Sequence, residues 1–215
     1  MKTLNILLLL LVTCNLKLSA QFEGSKEIYS SPKLNEIIAT HKMVAILPFA
    51  ATITYKHPPK NYNDSANKGE EKALSTELQS SMYTFLLRKE DQYTCSFQDV
   101  TKTNALLKKN GIYDHLDETT EDTVCKILGV DAVILCKYDY EKTSSEGGAI
   151  AKTVLFGGLG SKTGSGALTM QVYNGIDGNL LWRFYKALDD NVFSSSDQVI
   201  EHMMRKVSRN FPYEK

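Results

Sequence analysis

Leu128-Gly129-Val130-Asp131-Ala132-Val133-Ile134-Leu135 reads as a helix end followed at once by a buried strand. Upstream, Thr119 and Asp122 have the spacing of a capping box, and Val124, Ile127 and Leu128 fall on one helical face. Gly129 offers the left-handed stop that residues with a side chain resist. From Val130 onward the apolar residues are nearly continuous, so a strand covered on both faces is expected from Asp131 to about Tyr140. Val44-Ala45-Ile46-Leu47-Pro48-Phe49 reads the same way, with Pro48 near the strand end because proline cannot donate to a ladder. Two such strands with helices beside them predict an α/β core.

Working outward, Ser31-Pro32 suits the opening of a short helix with Leu34, Ile37 and Ile38 on one face. Thr54 to Gly69 carries Pro58, Pro59 and three Asn and reads as an exposed loop long enough to be a contact surface. Glu70 to Arg88 places Leu74, Leu78, Met82, Phe85 and Leu86 at helical spacing. A strand is expected near Tyr93 to Phe97, then a helix capped by Asp99 or Thr101 and ending by Gly111. Leu168 to Tyr173 and Asn179 to Ala187 alternate around Gly175-Ile176-Asp177-Gly178, a hairpin signal, with Trp182 filling the sheet face. Ser194 to Ser196 cap a last helix carrying Val199, Ile200, Met203, Val207 and Phe211. The expected architecture is one α/β domain over residues 43–215: a mixed sheet of about five strands, packed helices, and a carboxy-terminal β-hairpin plus helix. Residues 21–42 read as a polar lead segment and short helix. Ser144 to Gly166, with seven glycines, reads as a glycine-rich insertion.

A chain of 215 residues sits at the upper edge of one ordinary domain. Its net charge is zero and no stretch is flooded with Lys or Arg, so the electrostatic footprint of nucleic-acid binding is missing and no nucleic-acid partner is expected. Residues 1–20 have the pattern of a signal peptide: Lys2, an apolar run from Leu4 to Val12 broken only by Asn5, and small residues at Leu18-Ser19-Ala20. That run is about ten residues, half of the roughly 20 that a membrane-spanning helix needs. Two processing routes are open. Leu11-Val12-Thr13-Cys14 resembles a lipobox, in which Cys14 is acylated and becomes the membrane tether. Thr13 fits that poorly, which favours cleavage after Ala20. Cys95, Cys125 and Cys136 lack metal-ligand spacing and read as buried thiols.

The segment Gly157-Gly158-Leu159-Gly160-Ser161-Lys162-Thr163 has the wrong spacing for a phosphate loop, since Ser161 stands where glycine is required. His41, His57, His115 and His202 are scattered over different elements and read as surface residues. No Gly-x-Ser-x-Gly elbow is present. The acidic pairs Glu70-Glu71 and Asp189-Asp190 sit where acidic caps are common. No catalytic residue, metal ligand or cofactor-binding residue is assigned. Asn63-Asp64-Ser65 fits the glycosylation pattern within the exposed loop. Tyr55 and Tyr62 beside Pro58-Pro59 form the candidate partner surface, because tyrosine is enriched at protein interfaces.

Taken in order, Val44 to Phe49, the amphipathic helix, Leu128 to Ile134, Val172-Tyr173-Asn174-Gly175 and Gly178-Asn179-Leu180-Leu181-Trp182 resemble the periplasmic α/β domain of the CsgG, penicillin-binding-protein-activator and TolB amino-terminal group. The resemblance covers roughly Met43 to Phe211. It implies a non-enzymatic envelope protein that binds other envelope proteins or itself, assists assembly or secretion, and is periplasmic, outer-membrane-associated or released outside the cell. It touches a membrane only through a lipid at Cys14. In the channel-forming branch extra hairpins build a barrel, which leaves a secretion-channel subunit as an alternative. Ser144 to Gly166 occupies a comparable place there but lacks sustained alternation. A further alternative is an exported hydrolase, with His115 and Asp117 as its nearest candidates.

Overall fold

In the computed structural model, which describes residues 25–142, 164–188, 196–207 and 210–215, the chain runs β1 (Lys26–Ser30), α1 (Leu34–Ile38), β2 (Met43–Ile46), β3 (Ala50–Tyr55), α2 (Asp64–Leu87), β4 (Ser96–Phe97), α3 (Val100–Lys109), α4 (Glu121–Leu128), β5 (Ala132–Lys142), β6 (Gly164–Asn174), β7 (Leu180–Leu188) and α5 (Ser196–Val207). The strands form a single mixed sheet in the order β1-β7-β6-β5-β2-β4, with β3 also paired to β5. The α/β class with a carboxy-terminal hairpin and helix is as the sequence reads.

β5 is the organising strand. Its first part lies parallel to β2, Val44 opposite Ala132 and Ile46 opposite Ile134. Its second part lies parallel to β3, Ala50 opposite Lys137 and Tyr55 opposite Lys142. Along its whole length it pairs antiparallel with β6. Leu47 N–H still donates to Ile134 at 3.0 Å, after which Pro48 stands where the chain leaves β5 before rejoining it as β3.

One face of the sheet buries Ile46, Ile134, Cys136, Leu168, Trp182 and Phe184 against α2, α5 and the carboxy-terminal Phe211 and Tyr213. The opposite face packs Ala45, Leu47 and Val133 against Leu107, Val124, Cys125 and Leu128 of α3 and α4. β2 and the start of β5 are thus covered on both sides, which is why their sequences are unbroken apolar runs. Farther along β5, Lys137 and Glu141 are exposed while Tyr138 is buried, and the alternation of a one-sided strand returns.

The sheet has seven strands rather than about five. The additions are β1, which lies within the expected polar lead segment, and β3, most of which precedes the expected loop and whose Thr54 and Tyr55 fall inside it. All five β1 residues are exposed, and only Ile53 of β3 is buried, so neither carries an apolar pattern. The exposed loop also shrinks to residues 56–63, because Asn63 caps α2 by accepting from Ala66 N–H at 3.1 Å. The expected capping box at Thr119 and Asp122 does not form: α4 starts after Thr120, whose hydroxyl lies 2.9 Å from that of Thr123.

Gly129 ends α4 at φ 66°, ψ 46°, and both its N–H and that of Val130 return to the Cys125 carbonyl. Asp131 then locks three elements. Its carboxylate accepts Lys42 N–H at 2.7 Å and Met43 N–H at 2.9 Å, its N–H donates to Met43, and its carbonyl accepts Gly175 N–H from the β6–β7 turn. Burial opposes the charge, but the two amides outweigh it and hold the Asp131 carboxyl below its ordinary range. At Gly175 a Cβ would lie 2.7 Å from the Asp131 carbonyl oxygen and 2.9 Å from Cys125 Cβ. At Gly129 the space is open and only the positive φ opposes a side chain. Gly129→Ala is therefore expected to lose about 1 kcal/mol in urea unfolding, and Gly175→Ala about 2 to 3 kcal/mol because backbone must move. Equal losses at the two positions would contradict this packing.

Candidate partner-binding surface

The candidate surface is held by a polar stripe on α2. Asn67, Glu71, Ser75 and Gln79 recur every fourth residue and therefore share one helix face. Asn67 Nδ2 donates to the Ile53 carbonyl at 3.0 Å, and the Glu71 carboxylate accepts Ile53 N–H at 2.8 Å. Ser75 Oγ donates to the Phe49 carbonyl at 2.5 Å, and the buried Gln79 donates to the Ile46 carbonyl at 2.8 Å. Asn104 of α3 completes Gln79 through a reciprocal amide pair at 2.8 and 3.1 Å. These side chains satisfy outward backbone groups of Ile46, Phe49 and Ile53, which lie past the two-residue pairing of β2 with β4 and which no further strand reaches among the described residues. Each such group would cost about 1 to 3 kcal/mol if buried unpaired. The sequence shows the apolar stripe of this helix; the polar one has the spacing of an ordinary solvated face.

Fixed in this way, β3 delivers Tyr55 to the start of the 56–63 loop. Tyr55 and Tyr62 meet edge to face, ring centres 5.5 Å apart and planes at 72°. Lys142, at the end of β5, reaches Tyr55 Oη and Glu70 Oε2, each at 3.1 Å, with its ammonium 5.0 Å from the Tyr55 ring centre. Desolvation of that ammonium is outweighed by its hydrogen bonds to Tyr55 and Glu70, so Lys142 stays charged above its ordinary range. Tyr62 N–H donates to the Pro59 carbonyl at 3.0 Å, tying the prolines to the second ring. Tyr55 and Pro59 are half-buried, whereas Pro58 is exposed and Tyr62 keeps 43% of its surface open. A shallow groove bordered by Thr52, Thr54, Asp139, Glu141, Ser165 and Ala167 opens at the same end of the sheet.

The other candidates separate. His115 Nδ1 faces Glu118 at 3.5 Å, not Asp117, and both partners of that contact are largely exposed. Glu70 and Glu71 are adjacent but diverge, one to Lys142 and one to Ile53. Cys95, Cys125 and Cys136 are buried free thiols, as the sequence reads; burial pushes the first two up to about 12 and the third up as well, so none is a thiolate at neutral pH. Among the described residues no cluster of three His, Cys, Asp or Glu is placed to hold a metal. Cys14, the Gly157 to Thr163 segment and Asp189-Asp190 lie outside the described residues.

His41 is buried, which corrects the reading of every histidine as a surface residue. Its Nδ1 lies 2.8 Å from Tyr213 Oη and its Nε2 lies 3.3 Å from Asn174 Oδ1. Asn174 Nδ2 donates to Asp177 at 2.8 Å, so Asn174 presents its oxygen to the ring. The ring therefore donates from Nε2, and the Tyr213 hydroxyl donates to Nδ1. Both partners come from positions far along the chain, and no local pattern around His41 announces them.

No family model matches the chain, and no curated protein matches it. Solved structures to which it is similar include lipoprotein GNA1162 from Neisseria meningitidis, at 9% identity over 79% of this chain and 98% of that one, TM-score 0.39. The PelC dodecamer from Paraburkholderia phytofirmans shows 9% identity over 89% and 99%, TM-score 0.45. The LpoB carboxy-terminal domain from Escherichia coli shows 8% over 74% and 94%, TM-score 0.34.

The His41 network gives stability a pH dependence. Burial lowers the His41 pKa below 6.5, only partly offset by the Asn174 hydrogen bond and the Asp131 charge. The unfolded chain therefore binds this proton more readily than the folded one. The contribution is fully present above pH 6.5 and is lost as pH falls from there through the lowered native value. Urea unfolding between pH 7 and 5 is expected to show stability falling by at most about 1.4 kcal/mol per pH unit for this proton, with a shallower slope in His41→Gln. An unchanged slope would place the titration elsewhere.

Proposed function

We propose that this chain is an exported, non-catalytic protein-binding module of the bacterial envelope, acting in assembly or secretion. Its contact surface is built on Tyr55, Pro58, Pro59 and Tyr62. The observation that carries the reading is the preorganised aromatic pair: Tyr55 and Tyr62 are locked edge to face by Lys142, Glu70 and the loop backbone, yet Tyr62 stays 43% exposed. A rigid tyrosine with two rotatable bonds loses little entropy when a partner covers it, the property that makes tyrosine a frequent interface anchor. Lys142 and Glu70 beside the pair already satisfy one another, and the exposed Lys56 and Lys60 flank it, so a partner meets an aromatic centre with a polar rim. The signal-like residues 1–20 support an envelope location, with the protein either tethered by a lipid on Cys14 or released by cleavage after Ala20.

The reading is tested in cells of the native host by placing a photo-crosslinking residue at Tyr62 and, as a control, at the exposed Lys109. A defined adduct from position 62 that is absent from position 109, and that is reduced at least about tenfold by Tyr55→Ala, equivalent to roughly 1.4 kcal/mol of binding, is the expected result. Identical adducts from both positions would sink the proposal. Mass spectrometry of the mature amino terminus from the same cells is expected to find either an acylated Cys14 or a start at Gln21. An intact Met1 terminus on the bulk of the protein would contradict export.

A further inference from the structure

The two lateral margins of the sheet are treated differently. On the outward side of β3 the central residue, Ile53, is capped on both its N–H and its carbonyl by Glu71 and Asn67, and the β4 margin is only two residues long. β1, at the other end, pairs with β7 alone and is exposed at every position. Ala187 N–H donates to the Ser25 carbonyl and Ser31 N–H to the Leu181 carbonyl. Antiparallel residues exchange bonds at every second position, so the odd-numbered residues of β1 face β7. The N–H and C=O groups of Lys26, Ile28 and Ser30 point away from the sheet, and among the described residues no strand pairs with them. The strand has neither bulge nor proline, and Ile28 and Tyr29 keep 42% and 48% of their surfaces exposed. Such an edge is a template for another strand.

We propose that β1 pairs antiparallel with β1 of a second copy of this chain, joining two sheets across a two-fold axis at Ile28. The occupant follows from the charges in Lys26-Glu27-Ile28-Tyr29-Ser30. With the axis at Ile28, Ile28 opposes itself, Lys26 opposes Ser30 and Glu27 opposes Tyr29, so no like charges meet. Moving the axis to Lys26 or Glu27 sets like charges face to face, which is unfavourable in a cross-strand pair. The Ile28 register also turns all three outward residues into hydrogen-bonded pairs, roughly six backbone bonds in all. The surface is isologous, as a two-fold dimer requires. It is distinct from the Tyr55–Tyr62 surface, so either can fail without the other.

An interface of one short strand belongs to the weak, small-area class, with dissociation expected at about 10 to 100 µM. Sedimentation velocity of the full chain as purified, from about 1 to 200 µM, should show a reversible monomer–dimer shift across that range. Ile28→Pro removes an N–H that β7 does not use, and Ile28→Lys keeps the N–H but sets two ammonium groups opposite each other. Both should stay monomeric at 200 µM with an unchanged circular dichroism spectrum, and Ile28→Lys decides the matter if the proline variant fails to fold. Hydrogen exchange adds a parity test: protection of the Lys26, Ile28 and Ser30 amides should rise with concentration, while Glu27 and Tyr29 do not change. A wild type that stays monomeric throughout, a dimer that persists in Ile28→Lys, or concentration-dependent protection confined to the odd positions would overturn the proposal.

Discussion

A strand that ends halfway along its neighbour leaves backbone groups facing a helix instead of another strand. In this chain that happens where β2 gives way to β3 beside β5. The stripe Asn67, Glu71, Ser75 and Gln79 meets the constraint by supplying side-chain partners to Ile53, Phe49 and Ile46. The arrangement sets how α2 lies along the sheet, because four contacts at one-turn intervals leave the helix neither free to slide nor free to roll. Leu78, Met82, Phe85 and Leu86 are then committed to the core, and the loop between β3 and α2 is pinned at both ends.

The geometry of the proposed contact surface inherits this order. Tyr55 closes the strand that the stripe secures, and Tyr62 lies next to the Asn63 cap of the same helix, so the two rings meet because β3 and α2 are fixed together. Lys142 arrives from the far end of β5, whose register is set by Asp131 contacts at its start. Surface and core are linked through the sheet.

Much of this was legible. Gly129 as a left-handed stop, β5 after it, and the hairpin around Gly175 to Gly178 are local features, and local features write themselves into adjacent residues. What was not legible depends on distant partners or on absent patterns. β1 has no buried residue, and β3 has one, so neither gives the alternation by which a strand is recognised. Asn67, Glu71, Ser75 and Gln79 look like a solvated face until the edge they cap is known. His41 is buried because Asn174 and Tyr213 meet it there. The Tyr55, Pro58, Pro59 and Tyr62 group is visible in the sequence because those residues are close together in a polar stretch. Its rigidity, which comes from Lys142 and Glu70, could not be seen the same way.

The claim on which the rest stands is that α2 side chains, and not a further strand, hold the outer edge of β3. Native-state hydrogen exchange at the Ile53 amide measures it directly. That amide should be protected in the wild-type protein to within about 1 to 2 kcal/mol of the global unfolding free energy, and Glu71→Ala should lower its protection while leaving the β5–β6 ladder amides at their own level once the global change is subtracted. Exchange at Ile53 as fast as at an exposed edge amide in the wild type, or protection that survives Glu71→Ala unchanged, would contradict it.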